Sequence, residues 1–168
     1  MTETVWAGQY LEVRREGRWE YAARVGDMAA VVMVAIDGDD QVLLVEQQRL
    51  PIGRRSLELP AGLIGDVTAG ERLEDAAMRE LEEETGYAAA RIERLGDFYS
   101  SPGMTSEMFT VVRATGLTRV GDGGGDEAED ITVYRVPLAE VATFVAEKRT
   151  AGVGIDAKIL LLLGAGML

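Results

Sequence analysis

The stretch from Met28 to Ile36, "MAAVVMVAI", holds no polar side chain, so a strand built from it has no face to offer water. A half-buried strand alternates apolar and polar residues; this one needs cover on both sides. After "DGDD", a turn by composition, "QVLLVEQ" at residues 41–47 is again mostly apolar. The two strands read as a hairpin-like pair at the centre of a covered sheet, which restricts the chain to a layered α/β architecture.

The flanks supply the remaining layers. "GQYLEVRR" and "RWEYAARV" alternate about Glu16 and Gly17 as an N-terminal antiparallel strand hairpin. Pro51, Gly53, Arg54 and Arg55 read as a loop whose two arginines are solvated charges. From Glu71 to Glu84 the pattern turns helical, with Gly86 where a C-terminal stop belongs. Strands are expected near 92–99, 106–113 and 131–136. "PLAEVATFVAEKR" opens a helix on proline, and "DAKILLLLGAG" reads as a buried terminal helix. No repeat or internal boundary interrupts this order, so residues 1–168 are expected to form a single domain, a mixed β-sheet with helices on both faces.

The chain contains neither cysteine nor histidine. That removes disulfides, thiolate nucleophiles, Ser-His-Asp triads and ordinary zinc sites. A metal ion must be held by oxygen, which points to magnesium, manganese or calcium. A general base must be a carboxylate, a lysine or a tyrosine. With 29 acidic against 17 basic residues and a net charge of −12, the surface repels a phosphate backbone, and nucleic acid is excluded as a partner. A small polyanion remains admissible if divalent cations mediate its contact. No apolar run reaches membrane-span length, and the start lacks a signal pattern, so no membrane partner and a cytoplasmic location are expected.

Residues 79–87, "RELEEETGY", place Glu80, Glu82, Glu83 and Glu84 on one helix, although like charges at helical spacing repel. At 100° per residue, Leu73, Ala76, Ala77, Glu80, Leu81, Glu83 and Glu84 share one side, while Glu74, Asp75 and Glu82 form a solvated face. Carboxylates that continue an apolar stripe must be neutralised, paired or bound to metal. Glu80 and Glu84, spaced i and i+4, can grip one divalent ion, and Glu83 can join them or bridge a second. Arg79 can brace Glu83 or reach back to Glu71. The glycine-rich loop before the helix can bring backbone carbonyls to the same ion.

Gly65, Glu71 and the run from Arg79 to Tyr87 resemble the Nudix box at every specified position, spanning residues 65–87. The resemblance implies the Nudix fold, an α/β/α sandwich around a mixed sheet. It also implies magnesium-dependent hydrolysis, with manganese as a substitute, of a nucleoside diphosphate linked to another group. Arg79 and Glu83 then join the catalytic set, and the Ala61 carbonyl is expected to join Glu80, Glu83 and Glu84 at the metal. One departure is visible: the loop between Pro60-Ala61-Gly62 and Glu71 is about three residues longer than in similar members.

Beyond the box, "LELPAGLI", "SSPGMTSE", "DEAEDITV" and "DAKILLLL" are similar to the ADP-ribose pyrophosphatase branch in order and spacing. By that resemblance Glu129, with Glu127 in reserve, is the catalytic base on an acidic glycine-hinged loop. Tyr10 and Trp19 match adenine-stacking aromatics, with Glu20 for the base and Arg24 and Arg49 for phosphates. The branch further implies a homodimer in which roughly residues 1–26 exchange between subunits. ADP-ribose is the expected substrate. Another nucleoside diphosphate sugar such as GDP-mannose, a dinucleotide, and a non-catalytic ligand sensor are the rivals.

Overall fold

A computed structural model of the chain describes residues 1–26, 29–65, 70–125 and 130–164. In chain order the strands are β1 (Glu3–Ala7), β2 (Leu11–Glu16), β3 (Trp19–Arg24), β4 (Ala29–Ala35), β5 (Gln41–Arg49), β6 (Arg54–Glu58) and β7 (Ala61–Ile64). Helix α1 (Leu73–Thr85) follows, then β8 (Tyr87–Ala88), β9 (Arg91–Tyr99), β10 (Met108–Thr115), β11 (Thr118–Arg119) and β12 (Ile131–Pro137). Helix α2 (Val141–Thr150), β13 (Gly154–Ile155) and the single-turn α3 (Leu160–Leu163) complete the described chain.

The expected hairpin at the start is present as β2–β3 and gains β1 as a third antiparallel strand. The central expectation needs correcting. β4 and β5 are not partners in one sheet; an isolated bridge between Ile36 and Val42 joins them. Each instead lies inside its own four-stranded mixed sheet, in the orders β7-β4-β10-β9 and β12-β5-β6-β13. β4 runs parallel to β10, and β6 runs parallel to β13. The Asp37 carboxylate accepts the Asp39 and Gln41 backbone amides, so the turn after β4 redirects the chain to a second sheet.

Both strands are apolar because both are covered. Val31, Met33 and Ala35 of β4 pack with Leu43, Val112, Ala114 and the α1 residues Ala77 and Leu81. Val32 and Val34, on the opposite face of β4, pack with Val42, Leu44, Leu57 and Val136, with Phe144 and Val145 of α2 against the cluster. Burial of one such aliphatic side chain contributes about 1.5–3 kcal/mol. The terminal helix is shorter and less covered than expected: Ile159 is buried, but Leu160 and Leu163 are exposed. No described helix is long and apolar enough to cross a membrane.

Candidate active site

Helix α1 carries the glutamates to the sheet. Leu81 and the two alanines anchor it, and Gly86, at φ 73°, ends it by returning its N–H to the Glu82 carbonyl. Glu84 is buried at 4 % exposure. Its Oε2 accepts the Ala61 N–H at 3.0 Å, tying the helix to the edge strand β7. Glu80 points at β7 one turn earlier, and the missing side chain of Gly62 makes room for it, since a Cβ there would overlap the Glu80 Cδ and Cγ.

Arg79 organises the acidic set. Its guanidinium donates to Glu71 at 3.1 and 3.2 Å, to Glu80 at 2.9 Å, to Glu83 at 3.2 Å and to the Leu63 carbonyl at 3.3 Å. Hydrogen bonding from Arg79 holds the Glu71 carboxyl below its ordinary range, and Glu71 in turn holds Arg79 charged. Both expected contacts of Arg79, to Glu71 and to Glu83, are therefore present. Glu83 departs from the inward stripe assigned to it. Its side chain is 54 % exposed, because its position falls at the edge of the buried arc.

Glu80 and Glu84 open onto a cavity of about 790 Å³ whose wall also includes Ala61, Gly62, Arg24 and Arg49. Five of the sequence-derived candidates thus meet in one space. Arg49 lies at the end of β5 and donates two parallel hydrogen bonds, both 2.8 Å, to Glu58 of β6. The Glu58 hydrogen bonds raise the Arg49 pKa, so the guanidinium remains charged at the wall. Arg24 donates to Glu107 at 2.6 Å, while its Nε is buried without a hydrogen-bond partner among the described residues.

Tyr10, Trp19 and Glu20 are elsewhere. All three are exposed, Tyr10 in the turn between β1 and β2 and the other two on β3, where Trp19 pairs with Glu16 and Glu20 with Arg15. Glu127 and Glu129 lie outside the described residues. Arg55, read as a solvated loop charge, is instead in β6 and donates to Glu46 at 2.7 Å. Arg54 is exposed as expected, though it too belongs to the strand.

Sequence reasoning missed several wall residues. Glu58 sits between apolar neighbours in "LELP", and an acidic residue inside an apolar strand was the available signal. Glu107 closes "SSPGMTSE", which is stitched along β3 by hydrogen bonds from Ala22 N–H to Met104 O and from Ser106 N–H to Ala22 O. Lys158 reaches the wall because Asp156 N–H bonds to the Leu57 carbonyl, placing the closing segment beside β6; its ammonium meets Asp156 at 2.5 Å.

The donor chemistry fits a hard divalent cation. Glu80 and Glu84 supply carboxylate oxygens one helical turn apart at the cavity, and magnesium is commonly held by one or two carboxylates with water and substrate phosphate completing its shell. Among the described residues no three acidic side chains converge tightly enough to hold an ion by themselves.

With this geometry in place, the comparisons with known proteins are specific. A sequence profile described as the NUDIX domain matches residues 26–160. The methanol dehydrogenase activator of Bacillus methanolicus is 32 % identical over 155 residues, covering 88 % of this chain and 82 % of that protein. An ADP-ribose pyrophosphatase of Mycobacterium tuberculosis is 42 % identical over 119 residues, or 70 % of this chain, which spans 56 % of that relative's length. A solved structure, described as an ADP compounds hydrolase, superposes with a TM-score of 0.72 at 26 % identity, covering 100 % of this chain and 95 % of that one. The profile takes in most of the chain, including the glutamate helix and all of the cavity wall except Arg24, and the chain therefore belongs to the NUDIX family and is a Nudix hydrolase.

Proposed function

We propose that the protein hydrolyses the pyrophosphate of ADP-ribose to AMP and ribose 5-phosphate with magnesium, or manganese in its place. The observation that carries this reading is the shared cavity: its wall brings the helix carboxylates Glu80 and Glu84 together with Arg24 and Arg49, which are held by the wall residues Glu107 and Glu58, around a space that can take a diphosphate. Glu80 and Glu84, with the Ala61 carbonyl and with Glu83 at the exposed edge, would hold the cation. Such an ion supplies positive charge to phosphate oxygens and acidifies water. Arg49, fixed by Glu58, and Arg24, fixed by Glu107, orient the phosphates. Arg79 keeps Glu80 and Glu83 in place. Glu129, or Glu127, accepts the proton of the attacking water, the role left to a carboxylate in a chain without histidine.

A second cavity of about 310 Å³ shares the Arg24–Glu107 wall and includes Gly26, whose neighbour Val25 donates its N–H to the Tyr10 carbonyl. This supports a nucleoside end near the N-terminal sheet. Trp6, Leu11 and Trp19 on that sheet and Tyr10 in its first turn are all exposed, which supports a homodimer in which residues 1–26 contribute adenine-stacking aromatics, within one domain spanning residues 1–168.

A panel of nucleotide sugars, dinucleotides and nucleoside triphosphates with magnesium, resolved chromatographically, tests the substrate. ADP-ribose is expected to exceed GDP-mannose by about tenfold or more in kcat/KM. A tenfold preference for another compound overturns the assignment, and tight binding without turnover identifies a sensor. Trp19→Ala is expected to raise KM for ADP-ribose roughly tenfold through lost stacking, with the circular dichroism spectrum unchanged. A fall in melting temperature with KM unchanged identifies a packing role instead.

A further inference from the structure

Helix α1 carries Glu82, Glu83 and Glu84 in its last turn, with no basic residue among them. Carbonyl groups at a helix end lack intrahelical partners and give that end a partial negative charge, so carboxylates there are repelled unless donors meet the carbonyls. The end of α1 finds its donors in residues 120–125. The short ladder of β8 with β11, Ala88 opposite Thr118 and Tyr87 opposite Arg119, brings this run to the helix. Val120 N–H and Gly121 N–H donate to the Gly86 carbonyl at 2.8 and 3.1 Å. Gly124 N–H then donates to the Glu84 carbonyl at 2.9 Å, and Gly125 N–H to the Glu83 carbonyl at 3.0 Å.

The contact is backbone on backbone. A Cβ on Gly123 would fall on the Thr85 carbonyl carbon and lie 2.6 Å from the Gly86 nitrogen and 2.7 Å from the Glu84 carbonyl oxygen. A Cβ on Gly86 would in turn lie 2.5 Å from the Gly121 carbonyl oxygen and 2.7 Å from the Gly123 nitrogen. Backbone atoms cannot swing aside as a flexible side chain does. Gly123 also stands at φ 66°, in the left-handed region that favours glycine. Gly121 differs: its φ lies outside that region, and the nearest atom to a Cβ there, Gly86 Cα, is 4.0 Å away. The glycine run reads as a hinge in the sequence, but its described part is fastened to the helix.

The fastening reaches the cavity through Glu84. Its side chain is tied to β7 by the Ala61 N–H, and its main chain is tied by the Gly124 N–H. Glu83 is held at both ends in the same way, by Arg79 at the carboxylate and by Gly125 at the carbonyl. Helix ends fray, and a carboxylate on the last turn moves with them. Groups that hold an ion must stay within about 0.5 Å of their working geometry.

We propose that Gly123 is a positioning residue for the cation: lacking a side chain, it lets residues 120–125 lie against the end of α1, where the Gly124 and Gly125 N–H groups keep Glu84 and Glu83 in place. The proposal rests on the reading of Glu84 as a holder of that ion.

The test compares Gly123→Ala with Gly121→Ala, which keeps every N–H group and adds a methyl group in ordinary contact. In the metal-free protein the Gly124 and Gly125 amides are expected to be protected from hydrogen exchange, unchanged in Gly121→Ala and at least about tenfold faster in Gly123→Ala. Coupling is reciprocal, so saturating magnesium should slow these two amides about tenfold in the unmodified protein, with the β2 amides unchanged. Calorimetric titration with magnesium is expected to show about tenfold weaker binding for Gly123→Ala and no change for Gly121→Ala. Turnover of the best panel substrate should fall about tenfold in Gly123→Ala at limiting magnesium and recover in part as magnesium is raised, which a loss of stability alone does not produce. In Glu84→Gln, adding Gly123→Ala should weaken magnesium binding by less than about a further twofold, since residues acting as one unit are not additive. Unprotected Gly124 and Gly125 amides, amides indifferent to magnesium, or a destabilised Gly123→Ala protein with unchanged magnesium affinity each overturn the positioning role and leave the hydrolase reading standing. Unchanged magnesium affinity in Glu84→Gln overturns Glu84 as an ion holder, and the positioning role with it.

Discussion

Glu84→Gln is expected to lower kcat/KM by about 10³-fold while leaving the fold intact. The substitution keeps the shape of the side chain and an oxygen able to accept the Ala61 N–H, so the tie between α1 and β7 survives. What is lost is one negative charge, buried at 4 % exposure and facing the cavity. Glu84 also acts electrostatically on Arg49, so the melting temperature is recorded alongside and is expected to show a folded protein as activity collapses. Calorimetric titration with magnesium should show weakened binding, and chelation of divalent ions should abolish turnover of the unmodified protein. A Glu84→Gln protein retaining more than about one tenth of normal kcat/KM would remove Glu84 from the metal-holding set.

Gly62→Ala is the second large effect, on the order of 10²-fold in kcat, and it arises without any change of charge. Gly62 is not in the left-handed backbone region, so alanine meets no conformational obstacle there. The obstacle is Glu80, whose Cδ and Cγ occupy the space a Cβ would take. Backbone pairing of β7 with β4 holds Gly62 opposite Val31, leaving the Glu80 side chain to move. Because the substitution acts through Glu80, Gly62→Ala combined with Glu80→Gln should be no slower than Glu80→Gln alone. Multiplying losses would show that Gly62 acts in some other way, such as close approach of substrate to the backbone.

Periodicity explains which parts of the site could be read from the sequence. Glu80 and Glu84 extend an apolar helical stripe, and that local pattern carries over directly to a pair of carboxylates facing the sheet and cavity. Glu83 shows the limit of the same rule, since a residue at the border of the arc is turned out by small adjustments and is here the partner of Arg79. The apolar strand β4 was legible as a covered strand, but its neighbours were not. Local sequence marks a turn after Ala35, whereas the pairing with β10 depends on residues far along the chain. Arg55 fails for a related reason. Two consecutive arginines after Gly53 look like a solvated loop until β5, β12 and Asp130 converge on one of them. Glu58 and Glu107 take their importance from Arg49 and Arg24, whose positions are set by the fold.

The parallel pairing of β4 with β10 also governs the order in which the molecule can be built. Thr110 lies against Val31 across about eighty residues of intervening chain, and closing so long a loop is slow compared with forming a local hairpin. Helix α1 belongs to that intervening stretch, and its buried face rests on Val112 and Ala114 as well as on Val31 and Met33. During synthesis the glutamate helix therefore emerges before half of its supporting surface exists, and its carboxylates gain a common orientation only once β10 is in place. Folding kinetics should accordingly be limited by the arrival of β10, with truncation before Met108 leaving the box sequence intact and the site unformed.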